Sequence, residues 1–578
     1  MLLPCLGILL LLLTLPALAQ EEAPTRFRVE IEITGVKGEP LRNVQAFLSL
    51  YRERRHPFLS PAMAQRLYAK AEGEIRAALQ PFGHYRPRIR AQLDRSDPQR
   101  WRARFHIDPG PLLPVARLEI RIEGEGADDP DLTAQLRHLP LKEGDPFDHR
   151  RYEALKQQLL EAALEVGYPD ARWQTRRAVV DLASYQARIH LVLHSGPRYR
   201  LGPLQLEQDI LDDDFLRAYL PYRPGTPYRP AALLQLQRAL NDSGYFARAE
   251  VRPLIRSAQG RAIPVEARLT PLPPDHYGLG LGYGTDTGAR TRLNWERRYL
   301  NRRGHRLKAE LYLAQVGDHQ RLAYQIPLAY RDASQFTLDA SRQSERIANR
   351  LRETHRLRAA YSQGREGWQR SYALDYQFEL YRTDSALERG FLLMPNLVFT
   401  HRRADDRSHP RRGHRLDLEL RGALQALLSS TDFLQTSAAL RWIRPAGRDH
   451  RWLLRLKAGH TVIRDLARLP VSLRYFTGGD RTLRGYGYQT VGPLGGGGGT
   501  TLLETSVEYE HHLRRRWSAA LFLDAANSSN DGPFPLQRGV GLGLRWRSPV
   551  GPVRLDLAWA LDRRGTPWRI HFNIGPDL

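Results

Sequence analysis

The chain has 578 residues and a single cysteine, Cys5. An internal disulfide framework is therefore excluded, because each bridge needs two thiols. The mean hydropathy is −0.51, and no run of about 18 apolar residues follows the N-terminal segment, so a bundle of transmembrane helices is excluded as well. What remains is a soluble chain or a transmembrane β-barrel, whose strands alternate lipid-facing and lumen-facing residues and escape a hydropathy scan.

The N-terminal segment has the pattern of a secretory signal. The stretch MLLPCLGILLLLLTLPALAQ is apolar through Leu18 and closes with Ala17-Leu18-Ala19. Small residues at that spacing mark a cleavage site, so we predict a signal peptide over residues 1–19, whose removal also removes Cys5. A membrane anchor is the alternative, but the apolar run is short for one.

Signatures of catalysis are missing too. The chain has no G-x-S-x-G, H-E-x-x-H or G-x-x-x-x-G-K-[ST] sequence, and its glycine run over residues 495–499 lacks the lysine of a phosphate-binding loop. His511 and His512 lie beside the arginines at 514–516 without a third ligand at metal spacing, which favours a solvated strand end. We therefore expect no enzymatic activity, no catalytic residue, no cofactor and no metal site.

Arginine supplies almost all of the positive charge. The net charge is +24, and residues 275–578 hold +18 of it, with 48 Lys and Arg against 30 Asp and Glu. Arginine binds phosphate in bidentate fashion, which suits lipid headgroups and nucleic acids alike. An exported chain rarely meets nucleic acid and no zinc-finger or RNP-like spacing is present, so we expect lipid and no nucleic acid. Codon bias in a GC-rich genome is an alternative source of this composition.

Three segments of the first half repeat at similar intervals. Gly83-His84-Tyr85, Gly167-Tyr168-Pro169 and Gly244-Tyr245-Phe246 are spaced 84 and 77 residues apart. The amphipathic stretches that precede them predict helices over residues 61–80, 149–166 and 229–243. The segments that follow them predict strands over residues 88–93, 171–175 and 247–254. Glycine ends each helix at the C′ position, where a positive φ is required.

A second marker recurs with the same period. The stretches RFHIDPGPLLPVARLEI from Arg104 and RIHLVLHSGPRYRLGPLQLE from Arg188 both predict a strand, a Gly-Pro turn and a second strand. The repeating unit is therefore strand, two helices and two strands, an α+β module of about 80 residues that can fold around one core. Chance similarity between ordinary α+β domains is the alternative.

These modules resemble POTRA domains, the periplasmic repeats of bacterial outer-membrane assembly proteins. Three copies would occupy residues 26–110, 111–197 and 198–271. Each copy exposes a sheet edge, and an edge can accept a strand from a partner. The resemblance thus implies that this half of the chain binds partners by β-augmentation.

After Pro271-Leu272-Pro273-Pro274 the sequence changes to a two-residue alternation. Segments such as HRLKAELYLAQ from His305 and WRIHFNI from Trp568 alternate apolar and polar residues, with aromatics near their ends. The pattern predicts a transmembrane antiparallel β-barrel over residues 275–578, with about 16 strands. Porins and soluble β-sandwiches share these statistics, so alternation indicates architecture and leaves function open.

One glycine-rich stretch within the barrel is GGDRTLRGYGYQTVGPLGGGGG, which begins at Gly478 and carries Arg484, Gly485 and Tyr486. With the residues before it, the stretch resembles the loop signature of the POTRA-plus-barrel superfamily, whose members insert or translocate proteins at the outer membrane. The resemblance implies a loop folded into the lumen. A solvated surface loop is the alternative interpretation.

In that superfamily the loop arginine meets an acid on the inner wall, in a strand of the form F-x-D-x-G. Here FLDAA from Phe522 supplies Asp524 as the implied loop partner of Arg484. Ala526 replaces the motif's glycine, which leaves the close packing at that position to be established.

Two later segments resemble the superfamily's last strands. The stretch GLGLRWRSPVGPVRLDLAWAL from Gly541 predicts a strand, a tight turn and a strand with alternate residues toward the lumen. The residues that match the late-strand motif are Arg545, Ser548, Pro549, Gly551, Pro552, Arg554 and Asp556. The final stretch RRGTPWRIHFNIGPDL resembles the C-terminal signal of barrels marked for insertion.

Barrel closure requires the first strand, predicted over residues 276–285, to pair with the last, predicted over residues 568–574. The residues expected at this seam are Gly278, Gly280, Gly282, Gly284, Trp568, Ile570 and Phe572. Glycine weakens a strand through entropy and missing packing, so we predict that the seam is the weakest strand pair. We expect it to open laterally, so that a client strand pairs with the exposed edge.

Three repeats rather than five, the absence of a long proline-rich N-terminal plug and the Gly-Pro-Asp-Leu ending narrow the resemblance to the TamA family. These proteins are the outer-membrane subunits of the translocation and assembly module. The resemblance implies an outer-membrane location with the POTRA modules in the periplasm, a TamB-like partner anchored in the inner membrane, and client outer-membrane proteins such as autotransporters. The alternatives are a terminus of a phospholipid bridge between the membranes, a two-partner secretion translocator and a passive porin.

Overall fold

The computed structural model describes residues 27–329, 333–347, 350–365, 367–382, 387–406, 410–447, 449–493, 497–530, 534–548, 551–565 and 567–574. The predicted signal peptide, Pro549 and the Gly-Pro-Asp-Leu ending lie outside these residues. The chain forms two compact units, one of residues 27–203, 223–231 and 254–264 and one of the remaining described residues. No helix in the described ranges is long and apolar enough to cross a membrane.

Three small sheets with their helices precede the barrel. The first group is β1 Arg28–Thr34, α1 Gly38–Phe47, α2 Ser49–Glu53, α3 Pro61–Leu79, β2 Arg88–Asp94 and β3 Arg100–Asp108. The second group is β4 Val115–Glu123, α4 Pro130–Thr133, α5 His149–Val166, β5 Arg172–Asp181 and β6 Gln186–His194. The third group is β7 Arg200–Glu207, α6 Asp213–Arg217, α7 Pro230–Asp242, β8 Phe246–Pro253 and β9 Ala262–Pro271. The predicted order of strand, helices, strand and strand recurs in all three groups.

Each sheet has its last strand in the middle, in the orders β1-β3-β2, β4-β6-β5 and β7-β9-β8. In the first sheet β1 runs parallel to β3, with Arg28 opposite Arg100, and β2 runs antiparallel to it. Every sheet therefore has two edge strands. The strand predicted over residues 171–175 is longer than expected, because β5 continues to Asp181 alongside β6.

The amphipathic helices bury the faces that their spacing predicts. In α5, Tyr152, Leu155, Leu159 and Ala163 are buried in one core with residues of β6. The helix stops at Gly167, whose φ of 113° suits glycine and whose N–H bonds to Ala163 O.

The three glycine-aromatic segments lie where one element of the fold ends and the next begins. At each of them a backbone carbonyl or an aromatic hydroxyl forms a hydrogen bond to a later part of the chain. The Gly83 carbonyl accepts from Leu113 N–H at 2.9 Å, and the Gly167 carbonyl accepts from Tyr199 N–H at 2.8 Å. In the second unit the Tyr245 hydroxyl donates to the Gly304 carbonyl at 2.6 Å. The repeat in the sequence thus marks the joints between successive parts of the fold.

Sixteen antiparallel strands close into a barrel in chain order. Its first half is β10 Asp275–Gly284, β11 Gly288–Arg297, β12 Arg306–Ala314, β13 Gly317–Ala329, β14 Ser334–Ile347, β15 Arg350–Arg365, β16 Trp368–Arg382 and β17 Leu387–Ala404. Its second half is β18 Gly413–Ala423, β19 Phe433–Ala446, β20 His450–Ile463, β21 Thr501–Arg514, β22 Trp517–Ser529, β23 Gln537–Ser548, β24 Gly551–Ala560 and β25 Trp568–Ile574. The predicted barrel of about 16 strands is confirmed.

Alternate residues of the strands face outward and inward. On β22, Leu521 and Leu523 are exposed on the outer surface, whereas Phe522 and Asp524 between them are buried inside. Polar and charged side chains are therefore concentrated in the lumen, as alternation in a membrane barrel requires.

A long connection between β20 and β21, described at residues 464–493 and 497–500, folds back into the lumen. Its backbone forms bridges between Tyr475 and Gly499 and between Thr477 and Val491. The Tyr475 hydroxyl reaches the inner wall and donates to the Thr436 carbonyl at 3.1 Å. We call residues 464–500 the lumen loop.

Candidate functional site

Arg484 of the lumen loop binds the inner wall through several bonds. Its Nε and Nη2 donate to the two carboxylate oxygens of Asp524, at 2.7 and 2.8 Å. Its Nη1 donates to Glu508 at 2.7 Å, and its backbone N–H also donates to Asp524. The guanidinium carbon lies 3.3 Å from the centre of the Phe522 ring, which adds a cation–π contact. Arg484 is 2% exposed, so this is a buried ion pair and not a surface contact.

A second arginine completes the cluster. Arg545 of β23 donates to Glu508 at 2.9 Å and also binds Asp556 of β24. Asp556 lies 3.5 Å from Arg484, so Glu508 and Asp556 each contact both guanidiniums. We call Arg484, Arg545, Glu508, Asp524 and Asp556 the lumen cluster. Burying these charges is costly, and mutual pairing offsets that cost, so the cluster positions the loop more than it stabilises the barrel.

Three glycines on β23 make room for the cluster. A Cβ on Gly539 would lie 2.2 Å from the Arg484 carbonyl oxygen, and a Cβ on Gly541 would lie 2.4 Å from the Phe522 ring. A Cβ on Gly543 would lie 2.1 Å from an Asp556 carboxylate oxygen. A side chain at Gly539 would therefore collide with the loop itself, and side chains at Gly541 and Gly543 would displace Phe522 and Asp556, which Arg484 contacts.

The loop backbone around Arg484 takes conformations that favour glycine. Gly478, Gly479 and Gly485 have φ values of 109°, 117° and 95°. The Gly485 N–H donates to Nε2 of His571 on β25 at 3.0 Å, and a Cβ there would lie 2.9 Å from the Ala560 backbone nitrogen.

Tyr486 and Ala526 belong to an apolar contact beside the cluster. Tyr486 packs with Leu483, Val491 and Ala526. Ala526 is fully buried there, so alanine fits where the motif has glycine.

The seam joins β10 to β25 over a very short length. Among the described residues, only Tyr283 and Gly284 pair with β25, opposite Ile574 and Asn573. One further backbone bond runs from Thr285 N–H to the Phe572 carbonyl at 3.0 Å. On its other side β10 pairs with β11 over ten positions. The seam is thus the least paired junction in the described part of the barrel.

In this register the two strands pair over only part of their described length. We expected the seam to involve Gly278, Gly280 and Gly282, but these residues have no partner on β25 within the described range. The strands are staggered, so Gly284 reaches Asn573 while Trp568 and Ile570 lie beyond the end of β10. Gly282 comes closest, since a Cβ there would lie 2.7 Å from the Ile574 carbonyl oxygen.

The lumen loop also connects the two sides of the seam. Asp480 accepts from the Asn573 side-chain amide at 3.0 Å, and its backbone N–H donates to Asp286, in the turn after β10. Arg290 of β11 donates to the Asn573 side chain at 2.7 Å. We call these contacts of Asp480 the Asp480 bridge. They supply polar bonds where the backbone pairing is short.

Metal-ligating side chains are not clustered in the described residues. In the ranges that the structure describes, no three His, Cys, Asp or Glu side chains are grouped so that they could hold a metal ion. The carboxylates of the lumen cluster form ion pairs with arginines instead.

Comparison with known protein families assigns the chain. A model of the Omp85 superfamily domain matches residues 274–577, more than half of the chain. The chain belongs to the Omp85 superfamily. A second model, POTRA domain TamA domain 1, matches residues 30–109, and both matches together are consistent with a TamA-like protein. The resemblance read from the sequence is confirmed to that extent.

One solved structure of similar fold is a BamA fragment. BamA from Haemophilus ducreyi lacking POTRA domains 1-3 is 15% identical, and the match covers 80% of this chain and 99% of that one, with a TM-score of 0.70. CdiB from Acinetobacter baumannii is also 15% identical, over 81% of this chain and 90% of that one, with a TM-score of 0.48.

The Omp85 assignment orients the molecule. The barrel lies in the outer membrane and the POTRA modules lie in the periplasm. The end at which β10 begins is therefore periplasmic. Because successive strands alternate in direction, the turns after β11, β15, β17, β19, β21 and β23 are periplasmic, and the lumen loop begins at the extracellular end.

The late-strand motif of this Omp85 protein is distributed over the β23–β24 hairpin. Arg545 and Asp556 belong to the lumen cluster, and Arg554 lies directly opposite Arg545 in the register. Ser548 pairs with Gly551 next to the turn, and Pro552 pairs with Arg547. Pro549 lies outside the described residues.

Sequence reasoning missed two acids of the site. Glu508 lies in SVEYE on β21, where Glu508 and Glu510 share the inward face, and the period-two spacing of these acids was the available signal. Asp480 follows the two glycines of the loop motif, but its bond to Asn573 joins positions 93 residues apart. No local pattern indicates that contact. The functional roles of the predicted site residues stay predictions.

Proposed function

We propose that this Omp85 protein inserts client outer-membrane proteins, autotransporters among them, by opening its seam so that a client strand pairs with β10. The observation that carries the proposal is the two-pair junction of β10 with β25, against ten pairs between β10 and β11. Fewer backbone bonds must break there than at the other junctions of the described barrel.

The exposed edge of β10 is suited to a client strand. Residues 275–282 have backbone N–H and C=O groups without a partner across the seam in the described range. Such groups are a template for β-augmentation. Tyr277, Leu279 and Leu281 of the same strand are exposed on the outer face, where a lipid-facing client strand would place its own apolar side chains.

The lumen loop regulates this opening in the proposal. The lumen cluster fixes the loop to β21, β22, β23 and β24, and the Asp480 bridge then reaches from the loop to β25 and to the turn after β10. Release of β25 from β10 therefore requires loss of the contact between Asp480 and Asp286 and of the bond from Arg290 to Asn573, as well as the short backbone pairing. The loop sets the free energy of opening without blocking the edge.

A TamB-like protein anchored in the inner membrane is the proposed periplasmic partner. The support is the TamA-type module at residues 30–109 and the edge strands β1 and β2 of its sheet, which can each accept an added strand. The proposal assigns the chain no enzymatic step, because strand exchange between two sheets needs no covalent chemistry.

A pull-down tests the partnership. We expect the tagged full-length chain, extracted from native envelopes in mild detergent, to recover a very long β-rich protein anchored in the inner membrane. Deletion of residues 27–109 should abolish the recovery, because it removes the TamA-type module, while the barrel remains folded in heat-shift gels. Recovery of outer-membrane lipoproteins in place of the long protein would contradict the partnership.

A further inference from the structure

Basic and aromatic residues line the outer face of the barrel at its periplasmic end. Arg370 on β16, Arg403 on β17 and Arg444 on β19 project from outward positions, since their register neighbours Phe399, His414 and Trp452 lie on that face. Arg514, Arg515 and Arg516 follow at the turn after β21 and are exposed. We call this surface of β16 to β23 the periplasmic belt.

The aromatic members of the belt form a nearly continuous row. Trp368 stacks near His401 at 4.5 Å between ring centres, and Trp452 lies 4.8 Å from Tyr509. Trp517 and Trp546 stack at 5.5 Å. Tryptophan and tyrosine prefer the depth of lipid headgroups, because one end of the ring is apolar and the other can hydrogen-bond.

Histidines fill the positions between the aromatics. His401 and His414 lie within 2.9 Å of each other, nitrogen to nitrogen, and His450 stacks on His511 at 4.1 Å between ring centres. His511 therefore belongs to a surface that also includes three other histidines, and the solvated strand end expected from the sequence is an interfacial one.

The belt arginines are available to an external anion. In the described part of the chain, no carboxylate lies within ion-pair distance of Arg370, Arg403 or Arg444. By contrast, Arg415 of β18 and Arg451 of β20 are paired with acids on the inner side. Arg444 instead lies over the Trp442 ring, with its guanidinium carbon 5.1 Å from the ring centre. The outward charge of the belt is thus not neutralised by acids of the described barrel.

An apolar groove lies beside the belt on the same strands. Its volume is about 560 Å³, and its lining includes Phe399, Leu418, Leu420, Ala438 and Ala458. Phe399 and the two leucines come from β17 and β18, and the smaller Ala438 and Ala458 come from β19 and β20. It lies further toward the extracellular end than Arg444, at the depth of acyl chains when the belt is at the headgroups.

We propose that the periplasmic belt and this groove bind anionic phospholipids of the inner leaflet, with the phosphate on the arginines and an acyl chain in the groove. Arginine pairs bidentately with phosphate, and the aromatic row fixes the headgroup depth. Arg370, Arg403 and Arg444 lie on β16, β17 and β19, on the side of the closed ring opposite the seam. Lipids bound there would fix the strands opposite the seam while the strands at the seam move. The inference does not depend on lateral opening.

Lipid retention tests the site. The full-length protein is reconstituted with equal amounts of phosphatidylglycerol and phosphatidylcholine, extracted in mild detergent, and the retained lipids are counted by native mass spectrometry. We expect phosphatidylglycerol to be retained in excess. The triple variant Arg370→Gln, Arg403→Gln, Arg444→Gln should lose this preference, by about five-fold for each arginine removed.

A matched triple variant separates the site from net charge. Arg464→Gln, Arg563→Gln and Arg564→Gln remove the same charge from exposed positions at the extracellular end, and should leave the preference unchanged. An Arg-to-Lys version of the belt triple, which keeps the charge, should retain most of it. If the triple variant fails to fold in heat-shift gels, the single variant Arg444→Gln replaces it.

Two outcomes of the retention experiment, and one of a competition experiment, would overturn the inference. One is equal retention of the two lipids by the unmodified protein. The other is an equal loss of phosphatidylglycerol from the belt and extracellular variants, which would mean that net charge and not the belt selects the lipid. Displacement of the lipid by inorganic phosphate alone at a matched concentration would likewise show a phosphate site without lipid specificity.

Discussion

A disulfide across the seam, made by Tyr283→Cys and Ile574→Cys, stops client assembly, and reduction restores it. Tyr283 and Ile574 are directly opposite in the register and project outward, so the bridge leaves the Asn573 contacts in the lumen intact. Directly opposed residues place their Cβ atoms about 4.5–5.5 Å apart, close to the span of a disulfide after a small adjustment. The crosslink replaces a breakable junction by a covalent one.

Assembly is measured as the rate at which a urea-unfolded autotransporter barrel folds in vesicles that contain the protein. We expect the oxidised variant to fall to the rate of empty vesicles and the reduced variant to recover. The only native cysteine, Cys5, is replaced by serine in all variants. Crosslinking at Gly280 would not serve, because Gly280 has no partner on β25 in the described range.

The matched control is a crosslink one junction away. Leu279→Cys and Leu293→Cys join β10 to β11 at opposed outward positions and leave the seam free. This variant should assemble clients at the normal rate in both redox states. Full activity of the oxidised seam variant would rule out lateral opening, and loss of activity in both crosslinked variants would show only that rigidity is harmful.

Arg484→Ala is expected to release the lumen loop from the wall and to destabilise the barrel by about 3–5 kcal/mol, the usual cost of breaking one side of a buried ion pair. The substitution leaves Asp524, Glu508 and Asp556 buried with only Arg545 among the cluster's cations to balance them. Arg484→Lys keeps the charge but loses the bidentate bond and the flat contact with Phe522, so we expect an intermediate effect.

The measurements are the guanidinium midpoint of unfolding and amide hydrogen exchange across residues 478–493. Arg481→Ala is the control, because Arg481 lies three residues away in the same loop and its side chain is exposed. A midpoint for Arg484→Ala equal to that of the control, with unchanged exchange, would mean that the lumen cluster does not fix the loop.

Local patterns in the sequence indicate most of the architecture. Helical spacing places Tyr152, Leu155 and Leu159 on one buried face, and glycine at 167 ends that helix. Two-residue alternation predicts strands such as β12 and β25 to within a residue at either end. These features depend on neighbours within a few positions, which is why a single sequence contains them.

Local sequence patterns predict only part of the candidate site. The pairing of Arg484 with Asp524 follows from a resemblance between motifs, and the structure brings the two side chains together. The contact of Arg484 with Glu508 depends on the register between β21 and β22, which places Glu508 opposite Phe522. Register over a whole barrel is a global property of strand stagger, and no local pattern sets it.

The pairing at the seam is likewise not predicted by local sequence patterns. Glycines at 278, 280, 282 and 284 predict a weakly packed β10, but they do not show how far β25 is displaced along it. That displacement decides which residues are paired and which form the open edge. It also moves the informative crosslink from Gly280 to Tyr283.

Capture of a client strand on β10 tests the central claim most directly. Cysteines are placed singly at the outward residues Tyr277, Leu279 and Leu281 of β10, and for comparison at the outward residues Tyr372, Leu374 and Tyr376 of β16, far from the seam. A client with one cysteine in its terminal strand is then allowed to assemble under mild oxidation. The account predicts disulfides between client and β10 and none to β16. Equal capture at both strands, or capture at neither while assembly proceeds, would contradict strand addition at the seam.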